Sequence, residues 1–363
     1  MTQADDSHFQ LESYHFDVPP ALIARYPLPE RTESRLMVLK RDADQPTHEQ
    51  FPHVLELLQP GDVLVVNNTK VIPARLHAEK ATTGGRVEVL LGREAEDGSY
   101  IALVQPARRL KPGTRLIFSQ PDAVSIDPLY ATVEERVMDE PGAFRIRFEG
   151  DPIAFAEQYG EIPLPPYLDR DAEQTDQSRY QTVFASDAKK GASAAPTAGL
   201  HFSQDLLDEL DQRGVIRAEV TLQVGPGTFF PIRDSDIRDH KMHTEPWEIS
   251  SENAKRLSTA FTEGRRIIAV GTTAMRVLES AFDDDSPIPF HGGRGLTNLF
   301  IYPGYRFKAV NALVTNFHLP DSSLILLVSA FVGRERLIRA YQEAIDMKYR
   351  FFSYGDCCFF ERN

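Results

Sequence analysis

The sequence predicts an α/β protein: a layered α/β main domain with an inserted small antiparallel β-barrel domain. Three observations carry that prediction. Over residues 1–71 and 160–363, short apolar runs alternate with stretches of helical periodicity, the pattern of helices layered on a sheet. Over residues 72–159 the texture changes to short runs of alternating polarity punctuated by glycine turns, as a small barrel requires. At 363 residues the chain also exceeds the usual size of one core, which favours two domains or one domain with an insertion.

The elements follow in order. Residues 36–39 and 63–66 are apolar runs bounded by polar residues and by Pro60-Gly61, and read as strands. Runs at 86–91, 100–104, 115–118, 130–137 and 143–148 are separated by Gly84-Gly85, Asp97-Gly98, Pro112-Gly113 and Pro141-Gly142, and read as barrel strands and turns. Residues 161–196 are rich in Pro, Asp, Gln, Ser and Ala with little periodicity. An irregular segment of that length is usually functional or mobile. Helices are then expected at 203–213, 251–263, 273–282 and 322–332, and strands at 215–224, 267–270, 299–302 and 312–315. No internal repeat is evident.

Composition limits the function classes. Hydrophobic residues at 42% and charged residues at 26% describe an ordinary globular chain. A net charge of -13 means that a polyanion must be met by a local basic patch. The N-terminus has neither a basic n-region nor an apolar h-region, and residues 324–332, the longest apolar stretch, are about half the ~20 residues of a membrane span. The expected location is therefore cytoplasmic, with no membrane contact. The two cysteines, Cys357 and Cys358, are adjacent and offer neither a disulfide framework nor a C-x-x-C metal spacing. Neither G-x-x-x-x-G-K-[ST] nor G-x-G-x-x-G occurs, which argues against a nucleotide triphosphatase or a dinucleotide dehydrogenase.

Several loops carry candidate chemistry. Ile267-Ile268-Ala269-Val270 followed by Gly271-Thr272-Thr273 is a strand, a tight turn and a helix start, with Arg276 one turn further on. Free N–H groups there face any ligand at the strand's end, although either threonine could equally be a plain N-cap. Gly227 and Thr228, in Gly225-Pro226-Gly227-Thr228-Phe229-Phe230, follow a buried strand and permit close backbone approach. His240 and His243 with Glu245 have metal-like spacing, but no third His or Cys cluster stands near, so no metal is assigned and proton transfer or hydrogen bonding is favoured. Asn316 and His318 end a strand where an α/β sheet binds ligands, and Pro196-Thr197-Ala198-Gly199-Leu200-His201-Phe202 precedes a helix. These loops suggest one active site without naming its reaction.

Together with Tyr26-Pro27-Leu28-Pro29-Glu30-Arg31, Asn67-Asn68-Thr69-Lys70, Tyr180-Gln181-Thr182-Val183 and the segments 163–167, 300–305 and 350–356, these motifs closely resemble the S-adenosylmethionine:tRNA ribosyltransferase-isomerase family of the queuosine pathway. The resemblance runs through virtually the whole chain. It implies transfer and isomerisation of the ribosyl moiety of S-adenosylmethionine onto 7-aminomethyl-7-deazaguanine at the tRNA wobble position, giving epoxyqueuosine-tRNA, adenine and methionine. It implies no cofactor, because S-adenosylmethionine is consumed as a substrate.

Such a reaction needs a base for the carbon beside the sulfonium, a neutral attacking amine and a hydrogen-bonded leaving adenine. On that reading His201, His243 and Glu245 are the candidates for proton transfer, with His318 and Asn316 orienting the substrate at the catalytic centre. Thr197, Gly199, Gly227, Thr228, Gly271, Thr272, Thr273 and Arg276 are candidates for substrate binding. For tRNA, the candidate patch is Arg108, Arg109 and Lys111 in the barrel, with Lys70 and Arg75. A monomer is expected. The chain departs from the family pattern at Gln223 where His is expected, Lys70 for Arg, Asn311 for Asp, and Ala274-Met275 for Ser-Val. A methyltransferase on the same fold and a non-catalytic tRNA-binding module are the competing readings.

Overall fold

The computed structural model describes residues 6–119, 128–138, 140, 142–225 and 232–362. In chain order, β1 (Arg35–Leu39), β2 (Thr47–Gln50), the single turn α1 (Val54–Leu57) and β3 (Val63–Asn67) come first. The short β4 (Lys70–Val71) leads into β5 (Arg75–Lys80), β6 (Arg86–Glu94), β7 (Tyr100–Gln105), β8 (Arg115–Phe118), β9 (Leu129–Arg136) and β10 (Ala143–Phe148), followed by α2 (Pro152–Tyr159). Then come α3 (Asp176–Arg179), β11 (Lys190–Ala192), α4 (Gln204–Gln212), β12 (Ile216–Leu222), β13 (Glu245–Ile249) and α5 (Ser251–Thr262). After these come β14 (Ile267–Val270), α6 (Gly271–Ala281), β15 (Gly293–Thr297), β16 (Ala312–Asn316), α7 (Ser323–Val332), α8 (Arg334–Asp346) and β17 (Cys357–Glu361).

One mixed sheet runs β15-β13-β12-β3-β14-β16-β17-β1-β2, and its central strands β12, β3, β14 and β16 are parallel. Period-two alternation sends Val63, Val65, Ile267 and Ala269 to one core and Leu64, Val66, Ile268 and Val270 to the other. Both faces are therefore covered, which is why these strands read as continuous apolar runs. The helix α7, expected from residues 322–332, is buried along most of its length and begins at a Ser322 cap.

Strands β5 to β10 close into a barrel in the order β10-β7-β6-β5-β8-β9. Leu76, Val89, Leu91, Val104, Leu116 and Ile146 are among the alternate residues that fill its interior. After α2 the chain returns alongside its departure point, where Glu161 bridges to Arg75.

Residues 299–302, expected as a strand, are irregular; the edge strand is β15 instead. Its sequence, Gly-Arg-Gly-Leu-Thr, conceals it. A Cβ at Gly295 would lie 2.6 Å from the Trp247 ring, so the strand carries glycine where it crosses the indole of β13. Cys357 and Cys358 are buried free thiols inside β17, and burial pushes both thiol pKa values up.

Candidate active site

The C-terminal ends of β14 and β16 open onto a cavity of about 340 Å³. An open α/β sheet presents its ligand crevice at this edge, and the volume falls within the ~300–1,000 Å³ typical of small-molecule sites. Gly271, Thr272 and Thr273 line it from the start of α6, Asn316 and His318 from the turn after β16, and Thr197 from a 3₁₀ turn that ends at His201. Tyr167, Phe352 and Ser353 line it as well.

The entrance to α6 differs from those of α4, α5 and α7, each of which has a serine side chain accepting a first-turn N–H. The residue before α6 is Val270, which offers no such cap, so neither threonine acts as the N-cap. Gly271 sits at φ +87, a conformation that favours glycine. The Thr273 hydroxyl is buried without a hydrogen-bond partner. The first turn thus borders the cavity with uncapped amides.

His201 does not line this cavity. Its ring is buried, with Nδ1 2.8 Å from Ser34 Oγ and Nε2 3.0 Å from Asn316 Nδ2. Asn316 Oδ1 in turn accepts from the Thr197 hydroxyl at 2.8 Å. Burial, reinforced by the nearby guanidiniums of Arg350 and Arg31, pushes the His201 pKa down to about 3. A neutral imidazole with both nitrogens held orients the cavity-lining amide. His318 is in the cavity wall itself. Its Nε2 is 2.8 Å from Thr315 Oγ1, and burial holds its pKa at about 3. Gly199 packs rather than lines: a Cβ there would fall 2.4 Å from Phe184 and 2.9 Å from Thr182.

Glu245, Arg276 and His243 gather elsewhere. A second, narrower recess between the barrel and the sheet is lined by Arg93, Glu140, Gln223, His243 and Glu245, and it shares Val224 with the main cavity. Glu245 accepts from the Gly225 N–H at 3.1 Å and forms a buried ion pair with Arg276, whose Nε also donates to Leu299 O at 3.1 Å. His243 Nδ1 lies 3.6 Å from Glu140. Burial would raise the Glu140 carboxyl, but His243 and Arg93 outweigh it and hold its pKa at about 2. His240 faces Asp234 instead, at 3.6 Å, so the two histidines hold different carboxylates.

The profile of the family described as queuosine biosynthesis protein matches residues 11–360. The chain belongs to that family. It is 45% identical over 347 residues to the S-adenosylmethionine:tRNA ribosyltransferase-isomerase of Halothermothrix orenii, covering 96% of this chain and 98% of that one. The corresponding protein of Pelobacter propionicus is 47% identical over 355 residues, covering 97% and 99%. Among solved structures, an S-adenosylmethionine tRNA ribosyltransferase from Thermotoga maritima aligns with a TM-score of 0.53 at 34% identity, over 96% of this chain and 99% of that one.

The departures from the family pattern have distinct settings. Asn311 accepts the Ile267 N–H at 2.8 Å, at the end of β14 opposite the cavity, where it joins strands rather than serving chemistry. Gln223 takes the Thr69 hydroxyl at 2.9 Å and donates to the Lys189 and Lys190 carbonyls, stitching together the rim of the narrower recess. Lys70 pairs with Asp187 at 2.5 Å. Ala274 and Met275 are buried core residues of α6.

Of the expected tRNA residues, Arg75 lies 3.8 Å from Glu88, while Arg108 and Lys111 are exposed on the barrel. The Arg109 side chain, Gly227 and Thr228 lie outside the described residues. Tyr167, Thr315, Phe352 and Ser353 also line the cavity and were not among the residues expected there. Tyr167 and Phe352 fell in resembling segments, but the 4.9 Å approach of their rings and the φ of +73 at Phe352 have no local signal.

Proposed function

We infer that the chain catalyses the S-adenosylmethionine:tRNA ribosyltransferase-isomerase reaction of queuosine biosynthesis. It moves the ribosyl moiety of S-adenosylmethionine onto 7-aminomethyl-7-deazaguanine at the tRNA wobble position and releases adenine and methionine. The observation that carries this reading is the near full-length match to relatives bearing that name, at 45% and 47% identity.

The main cavity suits S-adenosylmethionine. The Tyr167 and Phe352 rings offer an apolar wall for the adenine, and the amides and hydroxyls of Gly271, Thr272 and Thr273 suit the methionine carboxylate. In the tautomer with Nε2–H donating to Thr315, His318 presents Nδ1 to the cavity as a hydrogen-bond acceptor for the ribose. Burial holds the imidazole neutral at neutral pH, which suits orienting the substrate rather than retaining a proton. Asn316, oriented by His201 and Thr197, serves as a hydrogen-bonding arm toward the ribose or the adenine. His243 and Glu245, in the adjoining recess, are assigned to the amine-bearing base. Arg276 pairs with Glu245 and is a positioning residue.

On this reading S-adenosylmethionine is a consumed substrate and no cofactor is required. The exposed Arg108 and Lys111 remain available to phosphates. The chain acts as a cytoplasmic monomer. The test is isotopic: S-adenosylmethionine labelled in its ribose should deliver label to tRNA carrying the deazaguanine base. Unlabelled tRNA in that reaction, with label transferred in a parallel reaction using methyl-labelled S-adenosylmethionine, would mark a methyltransferase and contradict the reading.

A further inference from the structure

Three arginines beside the main cavity lack the carboxylate partners that several barrel arginines have. Arg31 donates to the carbonyls of Leu200 at 3.2 Å, Ser178 at 3.1 Å and Gln181 at 2.8 Å. Arg179 donates to Pro29 O at 2.7 Å and Leu28 O at 2.8 Å, and Arg350 to Tyr26 O. Among the described residues none of the three forms a direct ion pair, since Asp356, the carboxylate near Arg350, is paired with Arg35, and Arg179 Nε and Arg350 Nη1 are buried without a hydrogen-bond partner. In the barrel, by contrast, Arg115 pairs with Glu149, Arg145 with Glu135 and Arg147 with Glu134. Carbonyl groups fix a guanidinium's direction without neutralising its charge, and of the three only Arg350 has a carboxylate, Asp356, near enough to act on it, a sparse provision in a chain of net charge -13.

The three come from separate parts of the chain: the 26–31 segment, the end of α3 and the 350–356 loop. Arg31 and Arg179 line a small recess together with His201, Ser353 and Tyr354, and Ser353 also lines the main cavity. Glu30, at the rim, is engaged in a capping box with Glu33. Tyr26, whose carbonyl holds Arg350, is 50% exposed, with the Arg170 guanidinium 4.3 Å from its ring centroid.

We propose that Arg31, Arg179, Arg350 and Tyr26 form the docking site for the phosphodiester backbone of the single-stranded anticodon loop, next to the cavity that the wobble base must reach. The proposal rests on the tRNA-modifying reading above. Guanidinium forks suit phosphate oxygens, and an exposed aromatic ring is a platform for an unstacked base. The site adjoins the cavity through Ser353.

The test compares Arg179→Gln and Arg350→Gln with the corresponding lysine variants, using a fluorescently labelled tRNA transcript over a salt series, with S-adenosylmethionine affinity measured in parallel. Each glutamine variant should bind tRNA roughly tenfold more weakly at low salt, with a salt slope shallower by about one. S-adenosylmethionine affinity should stay at the wild-type value. The lysine variants should keep the slope and lose only about threefold, through loss of the fork. If a glutamine variant does not fold, the lysine variant decides, and wild-type affinity there overturns the site. Loss of S-adenosylmethionine affinity with tRNA binding intact would mark a carboxylate site and also overturn it. So would weaker tRNA binding with an unchanged slope in the glutamine variants. Failure of the wild-type chain to bind any tRNA would instead refute the underlying reading.

Discussion

The Asn316 amide joins the His201 imidazole to the cavity, with Nδ2 3.0 Å from Nε2 of a histidine that does not itself reach the cavity wall. The 3₁₀ turn 197–201 and the end of β16 are thereby locked together, and the orientation of one cavity-lining amide depends on a buried, neutral ring. Asn316→Ala would leave His201 Nε2 and the Thr197 hydroxyl without their partner. A loss of about 1–3 kcal/mol in urea unfolding is expected, together with a fall in kcat/KM. Full activity in a folded variant would remove Asn316 from the site.

Stability should respond to acid through His201 and His318. Each has a folded pKa near 3 against an ordinary value of 6.5, so the unfolded chain takes up protons first as pH falls. Their contribution is complete above about pH 6.5 and declines below it, toward pH 3. Between pH 7 and pH 5 each should remove about 2 kcal/mol of stability. Urea midpoints at the two pH values, for the wild type and His318→Gln, provide the check. The variant should lose less on acidification than the wild type.

Gly199 stands in the wall behind the site as a packing residue. Alanine there would push a methyl group into Phe184 and Thr182. A destabilisation of about 1–3 kcal/mol is expected, read from denaturant midpoints. An undisturbed midpoint would show that the turn has room.

Arg276 and Glu245 should behave asymmetrically. Removing Arg276 leaves a buried carboxylate without its cation, and Arg276→Met should cost about 3–5 kcal/mol. Glu245→Gln keeps the shape and an acceptor for the Gly225 N–H. A greater effect on kcat than on unfolding would support a chemical role for the carboxylate, and equal effects would reduce it to structure.

Tyr167→Phe keeps the ring and removes the 2.5 Å hydrogen bond to Ser353, whereas Tyr167→Leu removes the ring. S-adenosylmethionine affinity should be nearly unchanged in the first and fall roughly two- to tenfold in the second, the value of one aromatic contact. Calorimetric titration separates them. Equal affinity in both would place the adenine elsewhere.

The sequence expectations and the structure diverge along a physical line. The strands β3, β14 and β16 were legible because each is a continuous apolar run, and the barrel because glycine turns recur between alternating strands. Strand β5 was missed because only Leu76 and Ala78 among its six residues are apolar and buried. Strand β13 contains Pro246, and β15 was hidden by its two glycines, one of which, Gly295, accommodates Trp247. In the site, the helix entrance at Gly271, Thr272 and Thr273 and the strand end at Asn316 and His318 were both legible, and these residues line one cavity. Neither signal anticipated that Glu245 would be taken by Arg276, 31 residues away, or that His201 would sit behind Asn316. Those outcomes depend on contacts between distant segments, and no local period encodes them.

The central claim is best tested by identifying what leaves the cavity. Purified chain, S-adenosylmethionine and tRNA bearing 7-aminomethyl-7-deazaguanine are incubated, and the small-molecule products are resolved by chromatography. Adenine and methionine released in equal amounts, matching the ribosylated tRNA formed, is the predicted result. Release of S-adenosylhomocysteine would contradict it.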